Sequence, residues 1–236
     1  MKRCEALRVS LGFLLTVALA VAAITVLSAL TGNGAREMPT EGEPEKVVVI
    51  DAGHGGKDGG AVASDGTLEK DINLRIAKNL ETLLRAAGYK VVMTRTDDRM
   101  LSTDGQGSAK MRDLKRRLEI SSEYPDALTV SIHCNKFPSE KCKGMQVYCG
   151  ASEGSAEAAE AIRKAFLQID PQNNRQVKKA DSSIYVLNRA RGAAILVECG
   201  FLSNGHELTL LKNEQYGRKL ALVIMSGIEE YYKNAS

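Results

Sequence analysis

Four residues of this chain, His54, Glu69, His133 and Glu198, have the types and places to do hydrolytic chemistry together. Two imidazoles and one carboxylate are the ligand set of a catalytic zinc ion that keeps an open coordination position. A second carboxylate can serve as its base. Singly, each has an ordinary explanation. His54 could be a turn residue, Glu69 a favourable charge at a helix N-terminus, His133 a hydrogen-bonded core histidine, and Glu198 the partner of an arginine. Jointly they fall at the carboxyl ends of strands or in the loop just past one, and four such groups without a metal would leave like charges to repel and polar groups unsatisfied. The joint reading makes His54, Glu69 and His133 candidate Zn2+ ligands and Glu198 the candidate catalytic base.

The elements that must position them are legible around each residue. Val47-Val-Val-Ile50 is a β-branched apolar run of the kind found in strands buried on both faces, and it breaks into Asp51-Ala-Gly-His-Gly-Gly56. Glycines there let the chain turn and bring His54 to the strand's carboxyl end, where open α/β sheets bind ligands. Glu69 opens a helix over residues 68–87, with Leu68, Ile72, Ile76, Leu80, Leu83 and Leu84 at helical spacing and Gly88 as its stop. A second strand follows at 89–94, a polar loop at 97–109 and an amphipathic helix at 110–124. His133 ends the next strand. Further strands are expected at 144–149 and 184–187, a helix at 155–167, and a strand closed by Glu198. Asn204 to Glu207 resembles a capping box, and a helix over 215–232 closes the chain. Strands alternating with helices predict one α/β domain: a mostly parallel mixed sheet flanked by helices on both faces.

The chain has 236 residues, a net charge of +3 and no Trp, so neither a nucleic-acid partner nor an aromatic stacking platform is expected. Lys2, Arg3 and Arg8 precede twenty residues without charge, 11–30, long enough at about 1.5 Å per residue to span a bilayer core. The basic flank orients such an anchor with everything after it outside the cytoplasmic membrane. Cleavage as a signal peptide is the rival reading. The expected organisation is an anchor at 1–30, a flexible linker at 31–46 and a catalytic domain at 47–236.

Other features carry less. His206 lies in a capping segment and is left out of the ligand set. Lys110, Arg112, Lys115, Arg116 and Arg117 read as a solvated helix face. Cys134, Cys142, Cys149 and Cys199 lack C-x-x-C spacing, which argues against a thiolate zinc site. Strand alternation points Cys134 and Cys199 away from the site residues they follow. Buried free thiols are expected, with a Cys134–Cys199 bridge left open. Asp51 and Asp58 are candidate partners for a ligand imidazole.

Val48-Val-Ile-Asp-Ala-Gly-His-Gly-Gly-Lys-Asp-Gly-Gly60, Glu69-Lys-Asp-Ile-Asn-Leu74, Ser131-Ile-His-Cys-Asn135 and Val197-Glu-Cys-Gly-Phe-Leu-Ser-Asn204 resemble the zinc-dependent N-acetylmuramoyl-L-alanine amidases of the third amidase type. The likeness runs over residues 47–232. It implies that the metal ligands are His54, Glu69 and His133, that Glu198 is catalytic, and that peptidoglycan is the substrate, cut between N-acetylmuramic acid and L-alanine. The short tethered form, with no visible autoinhibitory insertion, is similar to the amidases that prepare spore cortex for muramic-δ-lactam formation. An activating protein partner fits that branch. The alternatives are a vegetative cell-separation amidase, a zinc peptidase acting on stem peptides, and a wall-binding protein without catalysis.

Overall fold

A computed structural model of the protein describes residues 45–102 and 104–235. The expected anchor and nearly all of the linker lie outside the described residues, and among these no helix is long and apolar enough to cross a membrane. In chain order the elements are β1 (Val47–Ala52), α1 (Glu69–Ala86), β2 (Lys90–Met93), α2 (Ala109–Ser122), β3 (Leu128–Asn135), β4 (Gln146–Cys149), α3 (Ser155–Phe166), β5 (Lys178–Lys179), β6 (Ala194–Phe201), α4 (Gly205–Lys212) and α5 (Glu214–Asn234). They form one α/β domain around a six-stranded sheet of order β2-β1-β3-β6-β4-β5. The sheet is mixed: β2, β1, β3 and β6 run parallel, β4 runs antiparallel to β6, and β5 runs parallel to β4.

Alternation along the strands divides the side chains between two faces. Val48, Ile50, Val130, Ile132, Ile195 and Val197 enter the main core, as do Cys134, Cys149 and Cys199. The apolar stripes of α1 (Ile72, Ile76, Leu80, Leu84), α3 (Ile162, Phe166) and α5 (Leu220, Ile224, Ile228) cover that face. Gly227 of α5 lies so close to α3 that a Cβ there would sit 2.5 Å from Ile162 Cγ1. The alternate residues Asp51, Thr129, Ser131, His133, Leu196 and Glu198 belong to the other face. A smaller cluster of Leu187, Ala190, Ala194 and Leu196 covers one part of it. The α2 helix is fixed over another part by Arg117 and by Ser121 Oγ, 2.8 Å from Thr129 Oγ1. The thiols of Cys134, Cys142, Cys149 and Cys199 are all free, so the Cys134–Cys199 bridge is not formed.

Three expectations need correction. The strands do not end at His133 and Glu198: pairing between β3 and β6 resumes beyond that rung, so they run on to Asn135 and Phe201. Residues 184–187 are not a strand. Asn188 Nδ2 donates to Ile184 O, and Ala190 N to Val186 O, so local turn bonds take the carbonyls a strand would offer to a neighbour. The edge partner of β4 is instead the two-residue β5. Nor is the basic face of α2 wholly solvated: Arg117 is 2 % exposed and ion-paired to Asp51 and Asp113, each at 2.7 Å.

Candidate metal and catalytic site

Chain geometry brings all four expected residues to one end of the sheet. His133 and Glu198 are partners across the β3–β6 ladder and share its second face. His54 follows β1, in a loop whose Gly53 N–H donates to Ile132 O. Glu69 is the first residue of α1. No side chain caps this helix: the N–H groups of Glu69 and Lys70 donate to Ala61 O and Gly59 O, so the loop after His54 satisfies the helix start directly. Two glycines admit the cluster. A Cβ on Gly53 would sit 2.3 Å from His133 Nε2. One on Gly60, at φ +68°, would sit 2.5 Å from Glu69 Oε2 and 2.6 Å from His54 Cδ2.

Glu69 bridges the two imidazoles. Its Oε2 lies 3.2 Å from His54 Nε2 and its Oε1 2.9 Å from His133 Nδ1. Ligand atoms of the three residues all fall within 4.8 Å of one another. Glu69 also accepts from Ala61 N, Cys134 N and Asn73 Nδ2. Burial opposes its ionisation, but the hydrogen bonds and charges of His133 and His54 outweigh this and hold the carboxyl well below the usual range. Burial likewise works against a charged His133, and Glu69 overcomes it, so the His133 imidazole is shifted upward. His54 Nδ1 lies 2.9 Å from Asp58 Oδ2, which leaves Nε2 facing Glu69. Asp58 is thus an imidazole partner. Asp51 is not: it accepts from Thr94, Ser131 and Arg117. Although burial raises it, the Arg117 charge and these bonds hold Asp51 at about 2.

Glu198 stands apart from this network. Its Oε2 is buried without a hydrogen-bond partner. Burial pushes its carboxyl up to about 7, Glu69 adding to the rise and the imidazoles opposing it. Two nitrogens and a carboxylate, one imidazole oriented by a second carboxylate, fit a divalent cation of the zinc type. The orphaned oxygen next to them fits a group that awaits a water or a substrate proton. A cleft opens over His54, His133 and Glu198, lined also by Lys110 and Leu114 of α2 and by Tyr148, Ile184 and Tyr185.

Reasoning from the sequence missed Asn73, Arg95 and Lys70. Asn73 is fully buried and contacts both Glu69 and the loop carbonyl of Gly53; its place four residues after Glu69 was the available signal. Arg95 and Lys70 gave none.

Residues 48–230 match the N-acetylmuramoyl-L-alanine amidase family. The germination-specific N-acetylmuramoyl-L-alanine amidase of Bacillus subtilis is 36 % identical over 191 residues, covering 79 % of this chain and 80 % of that protein. Among solved structures, the CwlD amidase of Clostridioides difficile in complex with the GerS lipoprotein is 38 % identical, with a TM-score of 0.76 over 80 % of this chain and 99 % of that one. The catalytic domain of CwlV, an N-acetylmuramoyl-L-alanine amidase of Bacillus (Paenibacillus) polymyxa, is 32 % identical, with a TM-score of 0.68 over 80 % and 98 %. On these matches the chain belongs to the N-acetylmuramoyl-L-alanine amidase family.

Proposed function

We propose that the protein is a zinc-dependent peptidoglycan amidase, with His54, Glu69 and His133 holding the ion and Glu198 moving the proton. The reaction is hydrolysis of the amide between the lactyl group of N-acetylmuramic acid and L-alanine of the stem peptide. The observation that carries this reading is the buried, unpartnered Glu198 Oε2, set across the ladder from His133. Zinc in that donor set supplies Lewis acidity, making a water more acidic and an adjacent carbonyl more electrophilic. Glu198 accepts a proton as the water attacks and delivers it to the nitrogen of the departing L-alanine. A carboxyl held near neutrality by burial suits a group that must gain and lose a proton in each turnover. Asp58 keeps a proton on His54 Nδ1, so that Nε2 offers its lone pair.

The biological setting we propose is spore-cortex maturation, in which whole stems are removed from muramic acid before muramic-δ-lactam forms. The germination-specific relative and the CwlD amidase support it. The latter is seen with the GerS lipoprotein, which supports an activating protein partner for this chain too. Residues 11–30 would anchor the protein, residues 31–46 would tether it, and the catalytic domain would act outside the cytoplasmic membrane. Mass spectrometry of digested muropeptides is the test. Free stems beginning with L-alanine are expected, whereas shortened stems still on glycan would mean a peptidase. Deleting the gene should abolish muramic-δ-lactam in spores; normal lactam beside chained vegetative cells would assign the enzyme to cell separation.

A further inference from the structure

The loop that carries His54 has its carbonyls held by cations. Ala52 O accepts from Arg95 Nε at 2.8 Å and Arg117 Nη1 at 2.7 Å. Gly53 O accepts from Arg95 Nη2 at 3.0 Å, His54 O from Arg117 Nη2 at 2.6 Å, and Gly56 O from Lys70 Nζ at 2.8 Å. Both arginines are buried. Arg95 spends its other donors on Asp97 O and Lys70 O, so its hydrogen bonds all go to backbone carbonyls. Arg117 is braced by Asp113 on its own helix and by Asp51 on β1. A guanidinium presents its N–H groups as a rigid planar fork, so two of them fix the direction of successive peptide planes in a way that a single flexible donor does not.

The residue between those planes has an unusual backbone. His54 lies at φ +61°, and it is the only non-glycine residue with positive φ among the described residues. Such a conformation persists where the surroundings over-determine it. With this backbone the His54 ring presents Nε2 to Glu69 Oε2, 3.2 Å away.

We propose that Arg95 and Arg117 are positioning residues for the metal centre. Their forks impose the left-handed His54 backbone and so aim Nε2 at Glu69 before any ion arrives. The clamp draws on three separate parts of the chain: the β1 loop, the segment after β2, and α2. The inference rests on the reading of His54, Glu69 and His133 as a zinc site, and it assigns the preorganisation of that site to two residues outside its ligand set.

The test uses the full chain with Arg95→Lys and Arg117→Lys, which keep the charge and lose the fork, each made alone and together with His54→Ala. Zinc dissociation constants are measured by chelator competition on protein whose near-UV circular dichroism shows it folded. Each lysine variant is expected to bind zinc about 10–100-fold more weakly, the range typical of lost outer partners. In the His54→Ala background the same substitutions should cost no further affinity. Unchanged affinity, or an equal loss in both backgrounds, overturns the proposal, because a general structural role would not depend on His54. A parent chain that binds no zinc would overturn the zinc reading itself, a result distinct from parent binding that the lysines leave intact. Should both lysine variants fail to fold, NMR of the metal-free parent decides. One left-handed His54 conformation, unchanged on adding zinc, supports the clamp, and an average over several conformations overturns it.

Discussion

Replacing Glu198 by Gln removes one ionisable group from the site and keeps its shape, and the folded chain without metal should register the difference as a function of pH. Burial raises this carboxyl from its ordinary 4.5 to about 7. Each pH unit of that displacement corresponds to about 1.4 kcal/mol, so the ionised form costs the metal-free fold at most about 3 kcal/mol. The sign follows from proton uptake. Between the two values the folded chain holds a proton that the unfolded chain has released, so stability falls as pH rises and the full penalty is present above about 7. Below the unfolded value both states are protonated and the penalty vanishes. Glutamine has its own burial cost, but that cost does not vary with pH. The chelated Glu198→Gln protein should therefore gain about 2.5 kcal/mol on the parent between pH 5, where a small part of the penalty is already present, and pH 8, seen as roughly 5–10 °C in the midpoint of thermal unfolding. Adding zinc should shrink the gain, since a nearby divalent charge favours the carboxylate. A parent–variant difference that is the same at both pH values would refute the argument that Glu198 is held ionised against burial.

In the zinc-loaded enzyme the same Glu198→Gln change should retain the metal and lower turnover about 10²–10⁴-fold, measured by release of stems from purified peptidoglycan. His54→Ala and His133→Ala should weaken zinc binding to a still measurable affinity and cut zinc content and activity together, by metal analysis and the same assay; full occupancy in both would remove them from the ligand set. Gly60→Ala drives a Cβ into Glu69 and His54 at a positive φ, so zinc affinity in a chelator competition should fall about tenfold or more, by analogy with lost outer partners. The full-length protein should stay with membranes through a carbonate wash, while a soluble form beginning near Ala23 would mean cleavage.

What the sequence disclosed was mostly local. His54 follows β1 by two residues, Glu69 opens α1, and His133 and Glu198 lie within β3 and β6 after their apolar runs, so the run before them or the helical stripe after them announces both the element and the site. The helix α1 was legible from the spacing of Ile72, Ile76 and Leu80, and the closing helix α5 was placed within two residues of its ends. Contacts across long stretches were not. Arg117 reaches Asp51 across 66 residues and His54 O across 63, and in a helix with four other basic residues nothing marks it as buried except Asp113 four positions earlier. Arg95 contacts only backbone, which no pairing of residue types can reveal. The strand expected at 184–187 failed because a short apolar run, Ile184-Tyr-Val-Leu187, also suits a turn that brings Leu187 into one cluster with Leu196. The two lysines of β5 carry no apolar pattern at all.

The ladder between β3 and β6 has a consequence for metal selectivity. Along each strand the proposed ligand or base is followed at once by a thiol: His133 by Cys134, Glu198 by Cys199. Only the pleat separates them, one member facing the cleft and the other the core. Slipping either strand by a single residue would exchange the two faces, replacing an imidazole or a carboxylate at the cleft by a sulfur donor. A mixed thiolate site would favour softer ions and would expose its donors to oxidation. The pairing stays regular through the His133–Glu198 rung and shifts only beyond it, before Asn135. Fidelity of strand register is thus also fidelity of donor chemistry: it keeps an oxygen-and-nitrogen site from becoming a sulfur site.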